Sequence, residues 1–459
     1  MKLLFRNLRS ALGVLVVGLI PLSTAAQTLP EAVAIALSQY PTILAAESRV
    51  EAADYQIMQA RSGHWPQVAW QGTNSAYSNV TPRPFEPDDT WIQSPSVNLN
   101  IWSGWRIQSQ VDRARAVHQS QRHQQNITRD EVAFMVIEAY LDWVRLREVV
   151  SLAEQNVKMH DRLTSNVTEI ANVDQGRRID VTQAVVRTEN ARLTLEQLKS
   201  ERDIAAQRLR RMLLGLLPVH PAGYDRIAGR LPKNQKQALA MLTNRHPVIA
   251  QRLAQIQAAE ADVLNAKSGF SPTVDLSYQR QASQGTGQGD YVTQLNVRVP
   301  IFDGGSAYGG TRSAYAELDV AKQGLTEAKI TLKENILSAW SEYLTAQQRV
   351  KLGARQVKNA TELVAGYEEQ FRVGRRSLLD LLTIQDNLFT YQINVTNASF
   401  QVRTAKAKIL AVLNQLALAY EGQSGNGAAS RPTAKPVVGT ESEYQYDPIY
   451  ADIDIKRKE

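Results

Sequence analysis

The chain has 459 residues, 43% of them hydrophobic and 21% charged, a net charge of +7 and no cysteine. That balance is too polar for a bundle of membrane-crossing helices, and after residue 26 no apolar run approaches the roughly 18 residues a transmembrane helix needs. Without cysteine there are no disulfides, thiolate metal sites, cysteine nucleophile or acylated N-terminal anchor. Lys2, Arg6 and Arg9 supply three of the positive charges, and the remaining +4 is spread thinly. No basic cluster interleaved with aromatics points to nucleic acid.

Residues 1–26 combine a basic start, an apolar core from Ala11 to Leu22 and the small residues Thr24, Ala25 and Ala26. This pattern predicts a signal peptide and export from the cytoplasm.

The remainder divides into two similar halves, expected at 27–230 and 231–420. Ala32, Ala34, Pro41, Ser62, Gly63 and Pro66 recur as Ala238, Ala240, Pro247, Ser268, Gly269 and Pro272 at a constant offset of 206. Beyond the first loop the offset is 200: Trp102 and Gly104 match Phe302 and Gly304, Val136, Ala139 and Trp143 match Ile336, Ala339 and Tyr343, and Asp180 matches Asp380. Agreement in one register predicts an internal duplication, each copy reading helix, two strands, long helix, tip, helix.

The first helix of each copy is expected over about 30–62 and 235–268, with Pro66 forcing extended backbone after it. Strands are predicted at about 66–78, 91–102, 272–282 and 290–302. Val97, Leu99 and Ile101 alternate with Ser96, Asn98 and Asn100, and Leu295, Val297 and Val299 with Gln294, Asn296 and Arg298. Such alternation fits either a membrane β-barrel or a soluble sheet with one wet face. Five of the seven Trp residues, at 65, 70, 91, 102 and 105, flank the first pair of strands as interfacial aromatic girdles do, which favours the barrel. Four strands cannot close a barrel, and open edges are not tolerated in lipid, so several copies must combine. Two copies give eight strands and three give twelve.

From Arg106 to about Asn172 the pattern predicts one helix on the order of 100 Å long. Val132, Met135, Val136, Ala139, Trp143, Leu146, Val150 and Val157 form a narrow apolar stripe, as do Leu381, Leu388 and Val395, interrupted by Gln385 and Gln392. Stripes of this kind pack on neighbouring helices as coiled coils do, in a solid bundle or a hollow tube. Between the second pair of long helices, Gly374 and the start signal Ser377-Leu-Leu-Asp380 mark a hairpin tip. After Tyr420 the residues 421–459 are rich in Gly, Ser, Pro and charge and predict a disordered tail.

Signal peptide, duplicated plan and the Val373-Gly-Arg-Arg-Ser-Leu-Leu-Asp-Leu-Leu382 tip together resemble the TolC family of outer-membrane channels, over about residues 29–420. The resemblance implies a homotrimer in outer-membrane lipid: a twelve-stranded β-barrel continued by a periplasmic α-helical coiled-coil tunnel. It implies a docking tip at Val373, Gly374, Arg375 and Ser377 for a periplasmic adaptor joined to an inner-membrane ABC transporter or, alternatively, an RND-type pump. It also implies a periplasmic gate of Asp180, Arg376 and Asp380, with Thr383 where the family's second aspartate ring stands. Asp174 occupies the place of the matching tip Gly in the first copy. Ser377 and Asp380 equally fit a plain helix cap.

The six His residues are scattered, and no nucleophile motif or phosphate-binding loop appears, so no cofactor, metal or enzyme activity is expected. Three functions remain: an exit duct for type I secretion of a large protein such as an adhesin or repeat toxin, a small-molecule efflux duct, or a structural coiled-coil protein of the envelope. The tip resembles the adhesin-exporting branch of the family most.

Overall fold

A computed structural model describes residues 28–76, 89–282 and 289–424. The expected signal peptide, most of both strand-connecting loops and residues 425–459 of the expected tail lie outside the described residues.

Helix α1 (Leu29–Gln39) starts at a capping box in which Thr28 and Glu31 satisfy each other's backbone N–H. It does not continue through residue 62 as expected. Pro41 holds Tyr40 in extended backbone (ψ 130°) and begins a separate helix α2 (Pro41–Arg61). The second copy breaks at the same point: α5 (Gln235–Ala240) is separated from α6 (Pro247–Lys267), and His246 before the proline is again extended (ψ 127°).

Strands β1 (Gln67–Ala76) and β2 (Asp89–Trp102) precede α3 (Arg106–Val173) and α4 (Arg178–Met212). Strands β3 (Thr273–Ala282) and β4 (Gly289–Arg298) precede α7 (Ser306–Arg372) and α8 (Leu378–Val412). Strand β4 ends short of the expected residue 302 because Pro300 has no N–H to give a ladder. A last helix, α9 (Leu416–Ser424), runs four residues into the segment expected to be tail. The matched elements are nearly equal in length, 21 residues in α2 and α6, 68 and 67 in α3 and α7, and 35 in α4 and α8.

The four strands form one antiparallel sheet in the order β1-β2-β3-β4, so β1 and β4 each keep one edge unpaired among the described residues. Its register places Leu99, Leu276 and Leu295 in one cross-strand row and Val68, Val97 and Tyr278 in another. This apolar face is open, with Val68 78% and Leu295 60% exposed. On the opposite face Asn100 donates to Asp275 Oδ1 at 2.6 Å and Asn296 to Ser277 Oγ at 3.4 Å. A soluble half-buried sheet hides its apolar side; here that side is left open.

The predicted stripe on α3 is buried except for Met135, which lies at its rim. It packs with α1, α9 and the segment Leu213–Asn234 into the main core around Tyr140, whose hydroxyl accepts from Ala222 N at 3.1 Å and lies 3.3 Å from Ala222 O. On α8, Gln385 is buried within the stripe; its amide nitrogen donates to Glu368 Oε1 at 3.1 Å, while its own Oε1 has no partner among the described residues. Helix α3 packs on α2, α4, α6 and α8, whereas α7 packs chiefly on α6 and α8.

Candidate functional site at the helical tips

The hairpins α3–α4 and α7–α8 end in two tips that share one small core. Leu163, Val167 and Ala184 of the first hairpin meet Phe371, Leu381 and Leu382 of the second. Arg177 of the first tip lies over the Phe371 ring at 6.0 Å.

In the second tip the chain reverses through a Schellman turn. Gly374 N donates to Phe371 O at 2.9 Å and Arg375 N to Gln370 O at 2.8 Å, satisfying carbonyls the helix end leaves open. Gly374 sits at φ +71°, the left-handed region glycine tolerates best. Ser377 then caps α8 by accepting from Asp380 N at 3.2 Å. Arg376 packs back on its own hairpin: its guanidinium is 4.3 Å from the Tyr367 ring centre, Nε donates to Gln370 Oε1 at 3.0 Å, and Nη1 is 3.6 Å from Asp380 Oδ2.

The first tip is built differently. Asp174 ends α3 and its Oδ1 accepts from Gly176 N at 3.0 Å, closing an Asx turn with no positive φ. Arg177 Nε stands 3.7 Å from Asp174 Oδ2. Asp180 occupies the first turn of α4, where its charge favours the helix N-terminus.

Of the residues expected at the tip, Val373, Gly374 and Arg375 are exposed at its apex, and Ser377, Arg376 and Asp380 form one local cluster. No contact between Asp180 and Arg376 joins them within the chain among the described residues. Val173 (92% exposed) and Ile179 add apolar surface beside Val373, and a groove of about 940 Å³ runs between α3, α7 and α8, lined by Leu163, Ile170, Phe371, Leu381 and Gln385.

Higher on the hairpins lies a link that sequence reasoning missed. Asp386 of α8 accepts from Arg187 Nη1 of α4 at 3.2 Å and stands 3.4 Å from Nε2 of the buried His160 on α3. One carboxylate thus joins three helices from both hairpins.

A sheet with one open apolar face, joined to helices nearly 70 residues long that turn through paired tips, fits the architecture of an outer-membrane channel. The chain belongs to the outer membrane efflux protein family, which it matches over residues 32–215 and 238–415. It is 26% identical over 394 residues to the outer membrane efflux protein BepC of Brucella suis, spanning 84% of each chain. It is 20% identical over 294 residues to the alkaline protease secretion protein AprF of Pseudomonas aeruginosa, spanning 61% of this chain and 60% of that one. In structure it resembles the CmeC outer membrane channel of Campylobacter jejuni, with a TM-score of 0.73, 16% identity and coverage of 84% of this chain and 85% of the other. The protein therefore resides in the cell outer membrane, with its helical tunnel in the periplasm.

Proposed function

We propose that the chain is the outer-membrane exit duct of a tripartite export system. Three copies close a twelve-stranded barrel in the outer membrane and a hollow helical tunnel below it, and substrate passes passively from an inner-membrane transporter and periplasmic adaptor to the outside. The observation that carries this reading is the sheet. One face carries exposed apolar rows, the other polar side chains, and the outer edges of β1 and β4 are unpaired among the described residues, an arrangement stable in lipid only when further copies pair with β1 and β4. Helix α7 supports the same conclusion. Ile330, Leu352 and Leu363 leave an exposed apolar stripe along it that a hairpin of a neighbouring copy would cover. The two halves then act as an internal duplication around the ring.

Type I secretion of a large protein, such as an adhesin or repeat toxin, through an ABC transporter is the finer reading. The Ser377–Leu382 tip and the relative named for alkaline protease secretion support it. Small-molecule efflux with an RND-type pump is the second reading, supported by the relative named as an efflux protein. In a strain lacking this gene, the secretion reading expects loss of one large surface or secreted protein with unchanged susceptibility to dyes and antibiotics. The reverse pattern makes the chain an efflux duct.

At the tip, Val373, Gly374, Arg375 and Ser377 are assigned to adaptor docking, and Asp180, Arg376 and Asp380 to the gate. In a closed ring, Arg376 leaves its own turn to meet Asp180 of the neighbouring tip. Asp180→Ala combined with Arg376→Ala is expected to raise single-channel conductance in planar bilayers several-fold, and unchanged conductance overturns the gate assignment.

A further inference from the structure

The net charge of the chain is not evenly distributed in space. Residues 208–245 hold eight Lys and Arg against a single acid, Asp225, and so carry +7, leaving the rest of the chain after residue 26 at −3. All eight cations, from Arg208 and Arg210 at the end of α4 to Arg245 before α6, are exposed. Asp225 is itself exposed but pairs with Arg403 of α8 at 3.1 Å, outside the segment, so its charge is already matched there. None of the eight has an ion-pair partner among the described residues. Elsewhere exposed cations commonly do: Arg113 meets Asp262 at 2.8 Å, Arg192 meets Asp161 at 2.8 Å and Lys408 meets Glu342 at 2.8 Å.

The segment is held rigidly while its charges face out. Ala222 is bonded to Tyr140 and to Leu29 N, Lys406 donates to Ile227 O at 2.8 Å, and Ala228 N donates to the Tyr420 hydroxyl at 3.3 Å. Arg230 and Lys233 also line an open cavity of about 380 Å³ with Gln237. A fixed array of unneutralised cations sums into a field that attracts a polyanion far better than scattered charges do.

Its depth selects the polyanion. The segment packs on α1 and leads into α5 and α6, so the 21-residue α2 and α6 separate it from the sheet by roughly 30 Å. That is nearly four Debye lengths of about 8 Å at physiological salt, too far for lipid headgroups to be the ligand. We propose that residues 208–245 form an electropositive belt that docks the carboxylate-bearing polymer of the periplasmic cell wall, the peptidoglycan, and so fixes the duct at its level in the envelope. The free carboxylates of the stem peptides supply the complementary charge.

The test is co-sedimentation of the full-length protein in detergent micelles with isolated peptidoglycan sacculi. At about 0.1 M salt the protein is expected to pellet with the sacculi, and at about 1 M, where the Debye length falls to ~3 Å, at least fivefold less should do so. Arg226→Gln, Arg230→Gln, Lys233→Gln and Lys236→Gln together should lower the pelleted fraction at least fivefold, and amidating the sacculus carboxylates should do the same to the wild type. The exposed pair Arg208→Gln with Arg245→Gln should give an intermediate loss and keeps the test open if the fourfold variant does not fold. Equal pelleting of folded variants and wild type, indifference to amidation, or charge-dependent retention by anionic phospholipid vesicles in place of sacculi overturns the proposal.

Discussion

The two hairpin tips sit side by side over one core yet reverse the chain by different chemistry. The second uses backbone freedom, with Gly374 at φ +71° inside a Schellman turn and Ser377 restarting the helix. The first uses a side chain, with Asp174 folding back on Gly176 N while the backbone stays in ordinary regions. A turn built on backbone conformation is fixed by one residue type, whereas one built on an Asx bond tolerates any short acceptor. The comparison teaches that the duplicated plan conserves where the helices reverse without conserving how.

The largest expected effect breaks both tips at once. Leu382 is fully buried between the hairpins, so Leu382→Ala should cost about 2–5 kcal/mol, and hydrogen exchange should show lost protection in both tips. Loss confined to the second hairpin would mean that the tips do not share a core.

The tips were largely legible in the sequence, because a glycine followed by Ser-x-x-Asp is a local signal. The four strands were legible as well, since the alternation at residues 97–101 and 295–299 is a period-two signal that sets one apolar and one polar face. The helix breaks at Tyr40 and His246 were not read, although Pro41 and Pro247 stand in plain view. The apolar pattern continues in phase across each proline, so periodicity alone joins the two helices. The Asp386 link was out of reach for another reason. Its partners Arg187 and His160 lie on two other helices, and their meeting depends on how closely α3, α4 and α8 pack. The clustering of charge at 208–245 was hidden by averaging it over the whole chain.

The next effect separates the tips from the opposite end of the hairpins. Asp130 on α3 is buried and accepts from Ala417 N at 2.5 Å, pinning the start of α9. Burial pushes its carboxyl up to about 7, against the opposing pull of those backbone donors. Because the folded value lies above the unfolded 3.8, the folded state holds more protons between them, so stability falls as pH rises through that window. The slope should be about 1.4 kcal/mol per pH unit below 7, fading above it. Hydrogen exchange of α9 should follow that slope in the wild type and lose it in Asp130→Asn, with the tips unaffected in both. A slope that survives in the variant would assign the dependence to another group.

Smaller effects tell the two tips apart. A Cβ at Gly374 meets nothing within 4 Å, so Gly374→Ala carries only the left-handed backbone cost of roughly 1–2 kcal/mol. Gly176→Ala has no such cost. Its Cβ would stand 3.2 Å from Asp174 Oδ1, which can shift, so the change should stay within about 0.5 kcal/mol. Equal losses of tip protection in the two variants would erase the distinction between a backbone turn and a side-chain turn.

The smallest difference bears on whether Ser377 is a cap or part of a gate. As a cap its hydroxyl satisfies Asp380 N, so Ser377→Ala should cost about 1 kcal/mol, and Ser377→Asn, which offers another acceptor, should restore nearly all of it. Asp174→Ala removes a bond that closes a single turn rather than one that starts a 35-residue helix. It should cost about half as much, within the range of surface substitutions. The two roles separate in a joint measurement of tip protection and channel conductance. If Ser377→Asn restores both, the hydroxyl acts only through the helix start, and the gate stays with Asp180, Arg376 and Asp380 as assigned. If protection returns while conductance stays altered, the serine also contacts the neighbouring tip. The same pair of readouts applied to Asp380→Asn, which keeps the capped N–H but loses the charge facing Arg376 at 3.6 Å, isolates the ion pair from the cap beneath it.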